Sequence, residues 1–150
     1  MSGLSSYPPI GFHFLVAFEM FPQTPQDGRF QEVSGLNVEM QMESIKEGGE
    51  HRFEHQLPVR AKYSDLVLKR GLFVGSGVYK WCENSFEKFE FQPVNIMISL
   101  LNEAHAPVLS WYFVHALPKR WDISAFNAEQ STVAIETLTL TYRYFKTIRI

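Results

Sequence analysis

Five histidines are the residues in this chain best suited to metal or acid–base chemistry. His51 and His55 stand four apart beside Glu50 and Glu54. On a helix that spacing stacks two imidazoles on one face, as in H-E-x-x-H metal sites, but the order of residues here differs. In an extended strand, four residues span about 13 Å, too far to share one ion. His13, His105 and His115 fall in separate segments, and no spacing groups them. A hydrolytic metal site on His51 and His55 therefore ranks last of three functional readings, and no metal is expected.

The other chemical candidates are weaker. Gly71, Gly75 and Gly77 precede a helical pattern, yet they lack the third glycine of G-x-G-x-x-G and any G-K-[ST] that would cradle phosphate. A turn followed by a helix N-terminus accounts for them. Cys82 lies on the apolar stripe of that helix and reads as a small buried hydrophobe, not a nucleophile. There is no G-x-S-x-G and no isolated acid pair. The chain offers no catalytic residues and no cofactor site, and it reads as a non-enzyme.

The elements that carry these residues are mostly strands. Residues 12–18 alternate, with Phe12, Phe14, Val16 and Phe18 on one side. Two prolines and Asp27-Gly28 make residues 21–28 a loop. Leu36, Val38, Met40 and Met42 alternate with Asn37, Glu39, Gln41 and Glu43, the period of a half-buried strand. Glu47-Gly48-Gly49 turns that strand back, since paired glycines allow positive φ, and the return runs from Glu50 to Leu57. The alternation assigns Leu36, Val38, Met40 and Met42 to the core. The opposite face is rich in glutamate, with Lys46 and Arg52 as the nearby counter-charges. That face is either solvated or turned to a confined aqueous space.

Residues 58–62 read as a connector and 65–70 as a short strand, with a short helix as the competing assignment. Val78, Trp81, Cys82 and Phe86 form the one helical stripe, with Ser76 as its cap. Residues 94–101 are a strand with Val94, Ile96, Ile98 and Leu100 on one face. Residues 102–107 turn, and 108–117 form a partner strand apolar on both sides and so buried on both. Residues 118–127 read as irregular. Residues 132–144 form a last strand with Leu138, Leu140, Tyr142 and Tyr144 on one face and Thr137, Thr139, Thr141 and Arg143 on the other. The expected fold is mainly antiparallel β: a sandwich or partly open barrel with a long hairpin and one short α-helix.

Composition narrows the function. The 150 residues suit a single domain at 10–150 behind a loose Ser/Pro-rich arm at 1–9. Thirteen phenylalanines favour sheet. A net charge of −2 argues against nucleic acid as the principal partner. The single cysteine rules out an internal disulfide and fits a reducing compartment. Residues 1–9 show no signal-peptide pattern, and no run of about 20 apolar residues could form a membrane helix or anchor. Synthesis and folding in the cytoplasm are expected.

Several segments, taken together, resemble the tail-tube protein family of contractile phages and related injection systems. Phe30-Gln31-Glu32-Val33-Ser34-Gly35-Leu36 is similar to its F-x-x-V-S-G-L segment, which leads into a glutamate-bearing hairpin closed by a glycine pair. Leu66-Val67-Leu68-Lys69-Arg70-Gly71 resembles L-x-L-K-R-G, followed by a helix carrying Trp81. Trp111 after Pro107 resembles P-x-x-x-W. Phe126-Asn127-Ala128, Val133 to Glu136, Leu138 and Leu140-Thr141-Tyr142 resemble the C-terminal strand. The likeness covers roughly residues 10–145 in order. Residues 21–28 are longer than is typical, and residues 1–9 have no counterpart. Main tube subunit and tube initiator both remain open.

The resemblance implies a homo-hexameric ring whose strands join into one barrel. Rings would stack into a tube inside a sheath, with sheath, baseplate and a tube paralogue as partners and DNA or an effector passing through. Four strands per subunit, at about 4.8 Å spacing and roughly 40° tilt, give a barrel on the order of 50 Å across. Glu39, Gln41, Glu43, Arg52 and Glu54 are the lumen-facing candidates. Lys46, Glu47, Gly48, Gly49 and Glu50, at the hairpin tip, are the candidates for contact with the next subunit or ring. A phage virion or an extracellular injection particle would be the final location. The second reading is a small-ligand binder of the closed-barrel kind with a Phe-rich pocket.

Overall fold

The computed structural model describes residues 13–19, 29–45, 55–72, 77–124 and 134–149. In chain order these form β1 (His13–Phe18), β2 (Arg29–Phe30), β3 (Glu32–Ser34), β4 (Val38–Ile45), β5 (His55–Tyr63), β6 (Leu66–Gly71), α1 (Gly77–Glu87), β7 (Val94–Leu101), β8 (Pro107–Ile123), β9 (Ile135–Thr141) and β10 (Tyr144–Arg149). The mainly antiparallel fold matches expectation, and over the described residues the sheet does not close into a barrel. The arm at 1–9, the loop at 21–28 and the hairpin tip lie outside the described residues.

The spine is β8. Its first half pairs with β7 on one side and β10 on the other, from Leu109↔Arg149 to Val114↔Tyr144. Its second half pairs with β9, from Leu117↔Thr141 to Ile123↔Glu136. One strand thus enters two layers, β2-β1-β7-β8-β10 and β8-β9-β6-β3. The switch occurs where His115 takes φ +55° and the ladder shifts near Pro118. Such irregularities bend a strand and let it change sheets.

That continuity corrects three expectations. Residues 118–123 are not irregular but extend β8. The 108–117 segment is not buried on both sides: Ser110, Phe113 and Ala116 are buried, whereas Val108 and His115 are exposed. The last strand is interrupted at Tyr142–Arg143, where the Arg143 amide donates to the Val114 carbonyl at 3.0 Å. Past the break the facing changes. Tyr144 is exposed, and Phe145 packs on the core in its place.

Between the layers lie Val16, Phe18, Leu66, Leu68, Ile96, Ile98, Phe113, Leu138 and Leu140, all buried. Helix α1 adds Val78, Trp81, Cys82 and Ser85. The stripe thus ends on Ser85 and leaves Phe86 exposed, a correction to the expected pattern. A buried hydroxyl needs a partner, and Ser85 donates to the Trp81 carbonyl at 2.9 Å. Trp81 Nε1 donates to the Gln92 carbonyl at 2.9 Å, which holds the segment after α1. Burial pushes the Cys82 thiol up to about 12, the nearby Glu136 carboxylate adding to the effect and Arg70 opposing it. An inert core cysteine is the consequence.

Candidate assembly surface

The hairpin β4–β5 forms a two-stranded sheet of its own, separate from the larger one. The return strand is longer than expected. Residues 58–62 are not a connector but part of β5, paired from Val38↔Tyr63 to Ile45↔His55. Val59 to Tyr63 alternate as a strand should, but Pro58 hid the pattern. Proline is tolerated at edges and bulges, and the register shifts between Gln41 and Met42, beside Pro58.

Directly opposed residues in an antiparallel pair share a face. Val38, Met40 and Met42 therefore lie with Tyr63, Ala61 and Pro58. Glu39 and Gln41 lie opposite Lys62 and Arg60, and Glu43 opposite Leu57. The polar face is thus balanced in charge over the described residues, because Arg60 and Lys62 offset Glu39 and Glu43. Beyond the bulge it also carries Leu57 and, by alternation, Ile45. Glu39, Gln41 and Glu43 share this one exposed face. Arg52, Glu54 and the tip residues 46–50 lie outside the described residues, as does His51.

The assignment of the apolar face to the core is wrong, apart from Leu36, which packs against the core cluster. Val38, Met40 and Met42 are 50%, 52% and 48% exposed, and Val59 is similar. Alternation showed that one face is apolar. It could not show that the chain leaves that face uncovered. Exposed contiguous apolar surface of this kind marks an interaction site.

The base of the ribbon is held firmly. Gly35 has φ +90°, and a Cβ there would overlap the Asp65 carbonyl oxygen. Ser64 Oγ donates to Asn37 Oδ1 across the same junction. The Tyr142 hydroxyl donates to the Ser64 carbonyl at 2.6 Å, and Lys119 Nζ meets Asp65 Oδ2 at 2.8 Å. Tyr63 packs edge-on against Tyr142 and Phe145, with ring centroids 5.9 and 5.2 Å apart. Burial, with smaller contributions from Tyr63 and Asp65, raises the Tyr142 phenol to about 12. Further out, Gln56 Nε2 donates to Ser44 Oγ at 2.6 Å. The ribbon is anchored at one end, and residues 38–45 and 55–62 beyond that anchor are exposed.

A second feature stabilises the layer that carries the ribbon's root. Buried Arg70 and Glu136 are register partners on β6 and β9, and Arg70 Nε donates to Glu136 Oε2 at 3.3 Å. Trp121 Nε1 donates to the other carboxylate oxygen at 2.9 Å. The guanidinium lies 4.6 Å from the Phe30 ring centroid. Among the described residues both buried charges, Arg70 and Glu136, thus have a partner, the condition for keeping them in a core.

His13 and His105, which spacing alone left ungrouped, are brought together: Nε2 of the first and Nδ1 of the second are 3.1 Å apart. Among the described residues no group of three or more metal-ligating side chains forms. Phe18, Phe30 and Phe113 pack in the core.

Residues 10–146 match the family described as T4-like virus tail tube protein gp19. A chain of the anti-feeding prophage baseplate, reconstructed with six-fold symmetry, is 30% identical with a TM-score of 0.77, over 92% of both chains. A chain of the sheath–tube complex of an extracellular contractile injection system, PVC, in its extended state is 22% identical with a TM-score of 0.76, over 100% of both. Hcp1 from Flavobacterium johnsoniae shares the fold at 10% identity, with a TM-score of 0.60, over 90% of this chain and 94% of that one. No curated protein matches.

Proposed function

Because the chain belongs to the T4-like virus tail tube protein gp19 family, a family of structural tube components, we propose that six copies close into a ring and that rings stack into a conduit. Its role is structural: a tube or tube-initiator component of a contractile tail or injection particle. The ligand-binding barrel has no support from the comparisons.

The uncovered apolar face of β4–β5 carries the proposal. A ribbon with Val38, Met40, Met42 and Val59 half exposed on a single subunit is stable in water only marginally. Seating that face on the adjacent copy removes it from water, and its unpaired backbone edges find partners there. The polar face carrying Glu39, Gln41 and Glu43, and with it Arg52 and Glu54, then turns to the lumen. Lys46, Glu47, Gly48, Gly49 and Glu50 reach the neighbouring subunit or ring. The six-fold symmetry imposed on the baseplate that holds a 30% identical relative supports six copies.

On this reading the protein acts without a reaction centre. Residues 10–150 serve as one unit, folded in the cytoplasm and then built into the particle with sheath and baseplate, and DNA or an effector passes through the bore. Light scattering after size exclusion, followed by electron microscopy, tests the proposal. Six-subunit annuli are expected. A protein that stays monomeric at high concentration, with and without a baseplate template, overturns it.

A further inference from the structure

We propose that His13 and His105 form a two-histidine site for a borderline divalent cation of the zinc, nickel or copper class. The inference stands independently of ring formation. Two imidazole nitrogens bound to one zinc at about 2.0–2.1 Å, with an angle between about 100° and 110°, lie about 3.1–3.4 Å apart. His13 Nε2 and His105 Nδ1 are 3.1 Å apart, and their rings meet at 68°. The separation matches that of a chelating pair, and in the cation-free protein it is spanned by a hydrogen bond between the rings.

The backbone holds this geometry in place. His13 opens β1 opposite Leu101, the last residue of β7. His105 sits in the β7–β8 turn with φ +60°. Asn102 fastens that turn: its Oδ1 accepts from the Ala104 and Ala106 amides at 2.9 and 3.1 Å, and its carbonyl accepts from the His105 amide at 2.9 Å. The braced turn fixes the His105 backbone in the left-handed region, which histidine adopts more readily than most residues. Both rings reach the surface, so water or a group from another molecule can complete the coordination.

In the cation-free protein the same two nitrogens share one proton. Binding needs both lone pairs, so the proton of that hydrogen bond moves to the other nitrogen of its ring. Imidazole donors favour zinc, copper and nickel over magnesium or calcium. A bound cation would tie the start of β1 to the β7–β8 turn.

The test is calorimetric titration of the untagged protein with Zn2+ and with Ni2+, beside Cu2+ binding followed by paramagnetic resonance. Saturable binding at one cation per chain is expected, with nitrogen splitting from two imidazoles. H13Q and H105N should each weaken it at least about tenfold. Asparagine tolerates the left-handed turn, and unchanged circular dichroism of both variants shows that the fold is kept. Undiminished binding in the H13Q/H105N double variant would assign the cation to other histidines and overturn the proposal. Absence of saturable binding in the parent protein would do the same.

Discussion

The backbone of Gly35 approaches the carbonyl of Asp65 so closely that no side chain fits between them. This contact lies between β3 and β4, where the long ribbon leaves the sheet. Gly35→Ala meets two obstacles, a positive φ and a collision with main chain. It should cost about 3 kcal/mol or more, combining backbone strain with forced displacement. A lowered urea midpoint with unchanged m-value is the expected readout.

Met40 and Met42 touch water in the single subunit and are proposed to touch protein in the assembly. Met40→Glu or Met42→Glu should therefore leave subunit stability within about 0.5 kcal/mol, as for an ordinary surface change. The same changes should prevent ring formation, because an unpaired charge would be carried into an apolar contact. Thermal melts at low concentration and light scattering at high concentration separate the two effects. Wild-type annuli in both variants would show that this face is not the interface.

Arg70 and Glu136 should behave as a coupled pair. Glu136→Leu removes the carboxylate that faces both the guanidinium and the Trp121 indole, and the loss should be about 3–5 kcal/mol. Adding Arg70→Met to it should recover more than half, because the charge that needed neutralising goes as well. Denaturant unfolding of the two singles and the double variant supplies the cycle.

Alkaline pH should weaken the fold through Cys82. Its thiol stands at about 12 in the folded chain against an ordinary 9.0. The folded state therefore holds the proton more tightly than the unfolded one. The associated stability is complete below pH 9.0 and is lost as pH rises toward about 12. In C82A the decline of unfolding free energy across that window should be shallower. Tyr142, raised to about 12 in the same sense, maintains part of the slope. A C82A profile parallel to the parent's would exclude the thiol as the source.

Much of this arrangement was legible in the chain. Alternation located β1 and β7, whose side chains meet different environments on the two sides, and residues 65–70 read as the short strand that became β6. Alternation of residue type also located β4 and gave the hairpin an apolar and a polar face, although both are exposed in the single subunit. What period cannot report is whether an apolar face is covered, and so Val38, Met40 and Met42 went to the wrong surroundings. Pro58 concealed the strand around it, and Pro118 concealed the second half of β8. Proline breaks a pattern locally even where a bulge lets the ladder continue. The change of facing after Tyr142 also escaped, since one extra residue reverses every side chain that follows. Neither His13–His105 nor Arg70–Glu136 could be foreseen, because each joins segments distant in sequence.

The long strand β8 gives the subunit a mechanical character. Its peptide backbone runs without interruption from one layer into the other, so the two layers cannot slide apart as stacked plates do. Drawing one layer past the other would load the flanking ladders in shear, many hydrogen bonds at once, instead of peeling them singly.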